Sequence, residues 1–258
     1  MAQKISAFFD KGDQDAIDYN VILPFLPFGT FEEPFQDVTG VSENINLQRL
    51  YSAYMTGSFP WFDEDEGECV IYHSPDPRFC LKLEDLHIPK SIDKFLKKTP
   101  YKYTLDLDFS GVITGCREMS RKGQDGTWIG QMMIEAYTKL FDKGLAHSVE
   151  VWGQDGKLTG GLYGVLIGKV FFGESMFTKG SDSAKSAFTL FARAFRDSGG
   201  KLIDSQVYTD NIARYGAKEI PRDEFLSLEK IYLHQTLTRD ISDMFNFYAT
   251  NPGAKNFV

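Results

Sequence analysis

GGLYGVLIGKVFFGESMF, residues 160–177, is the stretch on which the reading of this chain turns. Two apolar runs flank Gly168-Lys169, a pair that suits a tight turn, so the segment reads as a hairpin of two buried strands. Glu174 stands inside the second strand. A carboxylate there costs on the order of several kcal/mol unless it is paired or put to use. Either something polar reaches Glu174 or it holds a ligand.

Upstream, HSVEVW (147–152) reads as a further strand, and Asp155-Gly156 is a strong hairpin signal, which makes 147–177 an antiparallel meander. Downstream, a helix from Ser183 to Asp197 ends at Gly199-Gly200. KLIDSQVY (201–208) is another strand, and NIARYGAKEI (211–220) a short helix or loop. Before the meander the pattern gives a helix over 128–142, with Ile129, Met132, Met133, Ala136, Tyr137 and Leu140 inward, after the polar loop REMSRKGQDG (117–126) and the strand YKYTLDLDF (101–109). Ser91–Lys98 is a short helix, and VIYHSPDPRF (70–79) a strand running into a proline-stiffened loop. In NLQRLYSAYMTGSFPWF (46–62), Leu47, Leu50, Tyr51 and Tyr54 recur at helical spacing, Gly57 is placed to end the helix, and Phe59-Pro60-Trp61 forms an aromatic turn. DEDEGE (63–68) is an acidic turn, and residues 1–45 read as loops and short strands.

The fold class is therefore α+β. A small N-terminal domain (1–80) precedes a domain (81–258) with a mixed, mostly antiparallel sheet flanked by helices. That order of elements resembles the acyl-CoA N-acetyltransferase (GNAT) fold.

The net charge of −8 argues against a protein that binds nucleic acid over its whole surface, though it leaves room for a local basic patch. No run approaches the ~20 apolar residues of a membrane span, and the start lacks the apolar segment of a signal peptide. A cytoplasmic location is expected. The cysteines, Cys69, Cys80 and Cys116, form no CxxC pair and do not cluster with histidines at ligand spacing, so free thiols and no metal are expected.

Several stretches together resemble the leucyl/phenylalanyl-tRNA–protein transferase family: AYMTGSFPWF, HSPDPRF, GTWIGQMMIEAY, GLAHSVEVW, GGLYGVLIGKVFFGESMF and GGKLIDSQV, followed by GAKEIPR. They run in family order from about residue 50 to about residue 225. The resemblance implies an acetyltransferase-like enzyme that takes Leu or Phe, and potentially Met, from aminoacyl-tRNA. It joins them to proteins beginning with Lys or Arg, marking these for N-degron degradation. No Q/R-x-x-G-x-G/A loop for a CoA pyrophosphate is present, so aminoacyl-tRNA is the co-substrate and no cofactor is expected. A monomer is expected. The sequence departs from the family where its usual Asp-Cys-Gln is Asp204-Ser205-Gln206, where its double Trp is Tyr72-His73, and beyond about residue 226.

By this resemblance Asp204 and Gln206 are the catalytic pair. Two apart in a strand, they face the same way, so Asp204 can fix the Gln206 amide, whose oxygen accepts a hydrogen from the incoming amine; Ser205 points away. Glu174 borders the donor side-chain pocket, where it can accept hydrogen bonds from the donor's α-ammonium group, with Leu162, Phe191 and Phe195 as apolar walls. Tyr54, Trp61, Trp128 and Tyr137 match aromatics around the 3′ adenosine. Lys90, Lys94, Lys97 and Lys98 share one helical face, which the family is thought to use on tRNA. His147 and Gly160-Gly161 are read as structural. Two alternatives stay open: the same chemistry with another acceptor (N-terminal Asp or Glu, or a peptide), and a non-catalytic tRNA- or degron-binding module.

Overall fold

The computed structural model describes residues 15–62, 69–119 and 129–257. The first sheet is small. Its strands β1 (Val38–Ser42), β2 (Phe59–Pro60) and β3 (Val70–His73) are antiparallel, in the order β1-β3-β2. The large sheet contains β4 (Arg78–Lys82), β5 (Lys102–Leu105), β6 (Ala146–Trp152), β7 (Leu158–Ile167), β8 (Val170–Thr178), β9 (Leu202–Asp204) and β10 (Lys218–Ile220). Their order is β10-β4-β9-β8-β7-β6-β5. Neighbours are antiparallel except β8 and β9, which run parallel. The meander read from the sequence is β6-β7-β8.

Helices cover both faces of this sheet. On one side lie α1 (Leu47–Tyr54), α3 (Phe109–Glu118) and α4 (Gln131–Asp142), whose Leu50, Tyr54, Val112, Met133 and Tyr137 share a core with Tyr163 and Phe172 of the sheet. On the other lie α2 (Lys90–Leu96) and α5 (Ser183–Asp197), whose apolar faces pack with Leu162, Phe171 and Ile203. After β9 come α6 (Asp210–Ala213), α7 (Arg222–Tyr232) and α8 (Ile241–Thr250). The α+β class, with a mixed and mostly antiparallel sheet between helices, is as expected. Among the described residues no helix is long and apolar enough to cross a membrane.

The structure adds to the local readings in three places. VIYHSPDPRF is the crossing between sheets: β3 ends at His73 in the small one and β4 begins at Arg78 in the large one. Helix α3 carries two glycines and the β-branched Val112, Ile113 and Thr114, a poor helical composition. Packing overrides it. A Cβ on Gly115 would stand 2.7 Å from the Phe177 ring, so glycine lets the helix lie directly on the sheet. The tail beyond 226 is structural too, because α8 lies against α5 and β5 and buries Ile241, Met244, Phe245 and Tyr248.

Phe245 is fully buried in the second core. Phe245→Ala should lower the unfolding free energy by about 3–5 kcal/mol, read from urea denaturation. A loss below 1 kcal/mol would show that α8 is dispensable to the fold.

Candidate active site

The carboxylate in the buried strand sits where the strand is irregular. Gly173 pairs with Gly164 and Ser175 with Tyr163, so Glu174 is an extra residue in β8 with no partner on β7. This β-bulge re-aims the side chain. Up to Phe172 the strand alternates normally, with Phe171 in the α5 core and Phe172 in the α1/α4 core; beyond the bulge the alternation is shifted, so that Phe177 joins Phe172's side. Glu174 thus reaches into the α1/α4 layer, where Tyr54 donates to Oε1 at 2.8 Å and Tyr137 donates to Oε2 at 2.9 Å. The two tyrosine oxygens also lie in close contact. Burial pushes the Glu174 carboxyl up to about 7, against the two tyrosine hydrogen bonds that lower it. Among the described residues its hydrogen bonds come from two phenols rather than from a cation.

Beside this bulge the ladder between β8 and β9 ends. Its last pair is Phe172 with Asp204. Past it the chain turns at Gln206, whose φ is +58°, a left-handed conformation in a residue other than glycine. A cavity of about 490 Å³ opens in the gap. Its walls are apolar, including Leu162, Phe171, Met176 and Phe188, while Glu174, Ser205 and Gln206 are polar groups in the lining and Trp61 contributes from the aromatic turn. A volume of that size takes a side chain with the groups attached to it.

Asp204 and Gln206 are brought together differently from the expectation. Asp204 is fully buried, does not line the cavity, and forms a two-pronged ion pair with Arg78: Nε to Oδ1 at 2.9 Å and Nη2 to Oδ2 at 2.6 Å. Its Oδ1 also accepts the backbone N–H of Gln206 at 3.0 Å, so the acid holds Gln206 by its main chain and not by its amide. The left-handed turn breaks strand alternation, and Ser205 consequently faces the cavity instead of pointing away. The Gln206 amide is satisfied with its nitrogen donating to the carbonyls of Gly173 (3.1 Å) and Ser205 (3.0 Å). Its oxygen then lies 3.3 Å from Glu174 Oε1.

The remaining expectations divide. Leu162 lines the cavity, but Phe191 and Phe195 lie in the core behind Phe171, with ring centroids 4.3 and 6.3 Å from it, because the first turns of α5, not its middle, face the opening. Phe171, Met176 and Phe188 were missed. Phe188 could have been found, since it continues the apolar stripe of Phe191 and Phe195 towards the start of the helix. Tyr54 and Tyr137 are fully buried and cannot stack on a base; they cradle Glu174. Trp61 is 40% exposed, stacked against Phe59 and edge-on to His73. Trp128 lies outside the described residues. Lys90, Lys94, Lys97 and Lys98 are all exposed on or just after α2, and Lys97 is 3.6 Å from Asp93. His147 is satisfied by Asp106, 2.7 Å from its Nδ1. Among the described residues no three His, Cys, Asp or Glu side chains converge as metal ligands would. Arg78 lies in the HSPDPRF stretch, where no local pattern marks a role for it.

Residues 80–230 match the family described as leucyl/phenylalanyl-tRNA protein transferase. The leucyl/phenylalanyl-tRNA–protein transferase of Myxococcus xanthus (strain DK1622) is 46% identical over 190 residues, 74% of this chain and 80% of that protein. That of Flavobacterium johnsoniae is 45% identical over 208 residues, 81% of this chain and 96% of its own. That of Escherichia coli O139:H28 is 42% identical over 209 residues, 81% and 85% respectively. Among solved structures, L-PGS from Bacillus licheniformis overlays 84% of this chain and 73% of its own, with 9% identity and a TM-score of 0.38, too loose a likeness to carry an argument. The chain belongs to the leucyl/phenylalanyl-tRNA protein transferase family, and so to the aminoacyltransferase enzymes.

Because the Glu174 carboxyl is raised in the folded protein from an ordinary value of 4.5 to about 7, the unfolded chain ionises first as pH rises. Stability is therefore lost between about pH 4.5 and 7, by up to about 3 kcal/mol at about 1.4 kcal/mol per pKa unit. Glu174→Gln should remove that slope, so its denaturation midpoint should gain on the parent's from pH 5 to pH 8. Parallel curves would mean that the carboxyl is not raised.

Proposed function

We propose that this enzyme transfers Leu or Phe, with Met a further candidate, from aminoacyl-tRNA to the N-terminal α-amine of proteins beginning with Lys or Arg, and so marks them for degradation. The observation that carries this reading is the pair of acceptor oxygens, Glu174 Oε1 and Gln206 Oε1, 3.3 Å apart at the wall of an apolar cavity. Two acceptors side by side suit N–H donors, and an aminoacyl ester under attack brings two amines.

The donor's side chain occupies the cavity among Leu162, Phe171, Met176 and Phe188, and its α-ammonium donates to Glu174. Shape excludes β-branched side chains, at about 1–3 kcal/mol per methylene-sized misfit. The acceptor's α-amine, whose pKa is about 7.7 to 8.0, is already partly neutral near pH 7. A neighbouring ammonium disfavours its protonation further. It attacks the ester carbonyl with one N–H directed at the Gln206 oxygen; the new C–N bond forms, the C–O bond to the ribose breaks, and the proton ends on the departing 3′ oxygen. Catalysis is then chiefly holding amine against carbonyl. Gln206 is the catalytic residue of this scheme and Asp204 a positioning residue. The donor ester is already activated, so no cofactor is invoked.

Trp61 at the rim supports stacking of the 3′ adenine, worth about 1–3 kcal/mol, and the α2 lysines support contact with acceptor-stem phosphates. With aminoacyl-tRNA as donor, the enzyme is assigned to the cytoplasm, acting as a monomer.

The test is transfer of labelled leucine from Leu-tRNA to peptides starting with Lys, Arg, Asp or Ala. Label should enter the Lys and Arg peptides and fall at least 100-fold with Gln206→Ala, whereas tRNA affinity should change less than threefold. Label in the Asp peptide alone would replace the acceptor, and label in none would favour a binding module. Changing Lys94, Lys97 and Lys98 to Glu should raise the KM for tRNA and flatten its salt dependence; an unaltered slope would move the RNA surface elsewhere.

A further inference from the structure

Arg78 is wholly buried, and Nε, Nη1 and Nη2 of its guanidinium all donate hydrogen bonds. Its Nε and Nη2 hold both oxygens of Asp204, and its Nη1 donates to Gly57 O at 3.0 Å. The guanidinium plane lies between the rings of Phe59 and Phe225, 4.9 and 4.5 Å from their centroids. Nearby Glu229 on α7 is also buried, and burial pushes its carboxyl well above the ordinary range.

The next residue on the same strand grips the turn: Ser205 N–H donates to Phe79 O at 3.0 Å, and Phe79 N–H to Gln206 O at 3.1 Å. The left-handed conformation of Gln206 is thus held on its N–H by Asp204 and on its carbonyl by β4. Gly57, bonded to the third arm of Arg78, opens the turn that carries Phe59 and Trp61 to the opposite wall of the cavity. Neither Arg78 nor Asp204 lines the cavity, so any effect of theirs on turnover must pass through what they hold.

We propose that Arg78 is a positioning residue: through the Asp204 carboxylate it fixes the Gln206 main chain and hence the direction of its amide oxygen, and through Gly57 it sets the distance of the aromatic turn from that oxygen. The inference rests on the reading that Gln206 meets the attacking amine. It needs the fork of a guanidinium. A lysine supplies the charge at one point but cannot bridge both carboxylate oxygens and reach Gly57 as well.

The experiment compares Arg78→Lys, Asp204→Asn and the double variant. In Arg78→Lys, kcat should fall at least tenfold, with KM for Leu-tRNA and for a Lys-starting peptide within threefold, and the double variant should lose no more than the worse single one. The Gln206 amide, followed by hydrogen exchange in NMR spectra, should exchange at least tenfold faster in each variant. Turnover within twofold of the parent, a loss carried by KM, or multiplying losses would overturn the proposal. Exchange separates it from the reading beneath: if Gln206→Ala is inactive but Arg78→Lys leaves the Gln206 amide protected, the linkage alone fails, whereas a fully active Gln206→Ala removes the role of Gln206. Should Arg78→Lys not fold, the unaltered protein decides. Gln206 protected like the β9 amides upholds the linkage, and exchange at the rate of an exposed loop overturns it.

Discussion

A carboxylate can stand in an apolar wall only if its oxygens have partners, and the arrangement around Glu174 meets that demand without a cation. Two phenols supply the hydrogen bonds. Each comes from a different helix, Tyr54 from α1 and Tyr137 from α4, so the acid joins the small N-terminal helix and the covering helix of the large sheet to one point on β8. An arginine partner would have neutralised the group. Phenols offset burial only in part, and the carboxyl is raised to about 7. The bulge makes this geometry available, since an extra residue lets β8 keep its ladder with β7 while aiming one side chain out of register.

The second determinant is the end of a ladder. β8 and β9 share only the pairs from Val170–Leu202 to Phe172–Asp204, and where pairing stops, space appears between two strands still held by their other neighbours. Such an opening would relax if its edges were loose. The Arg78–Asp204 pair fixes one edge and the Gly57 turn. A buried ion pair is weak evidence for stability, because desolvation offsets much of the attraction. Its value here is geometric, in that one guanidinium sets three acceptors at fixed distances.

On the far face, α2 is mounted on the helix that forms the pocket. Asp93 accepts from the buried Arg193 of α5 at 2.8 Å, while the neighbouring lysines stay in water. The basic surface and the cavity are thus carried by one rigid pair of helices.

How much of this could be read in the chain follows from the range of each signal. The meander β6-β7-β8, the helix α5 and the α+β class rest on periodicity and on Asp155-Gly156, which act over neighbouring residues and survive in any surroundings. Helix α3 was not legible, because its glycines lower local propensity and what holds it is packing against β6, β7 and β8, which no local pattern records. That the acid of GESMF, the amide of DSQ and the apolar face of α5 share a site was implied by the family resemblance, not by periodicity or spacing. Which members of that face meet the ligand was not legible, since Phe191 and Phe188 differ only in depth along the same helix. Sequence by itself determined the meander, the helices around it, the class and the residues available for chemistry. Tertiary structure alone decided that Glu174 is the bulged residue, that Asp204 turns inward to Arg78, and that Tyr54 and Tyr137 serve a carboxylate and not a base. Each of these depends on where a ladder slips or stops, a balance among strands and helices far apart in the chain that no local pattern records.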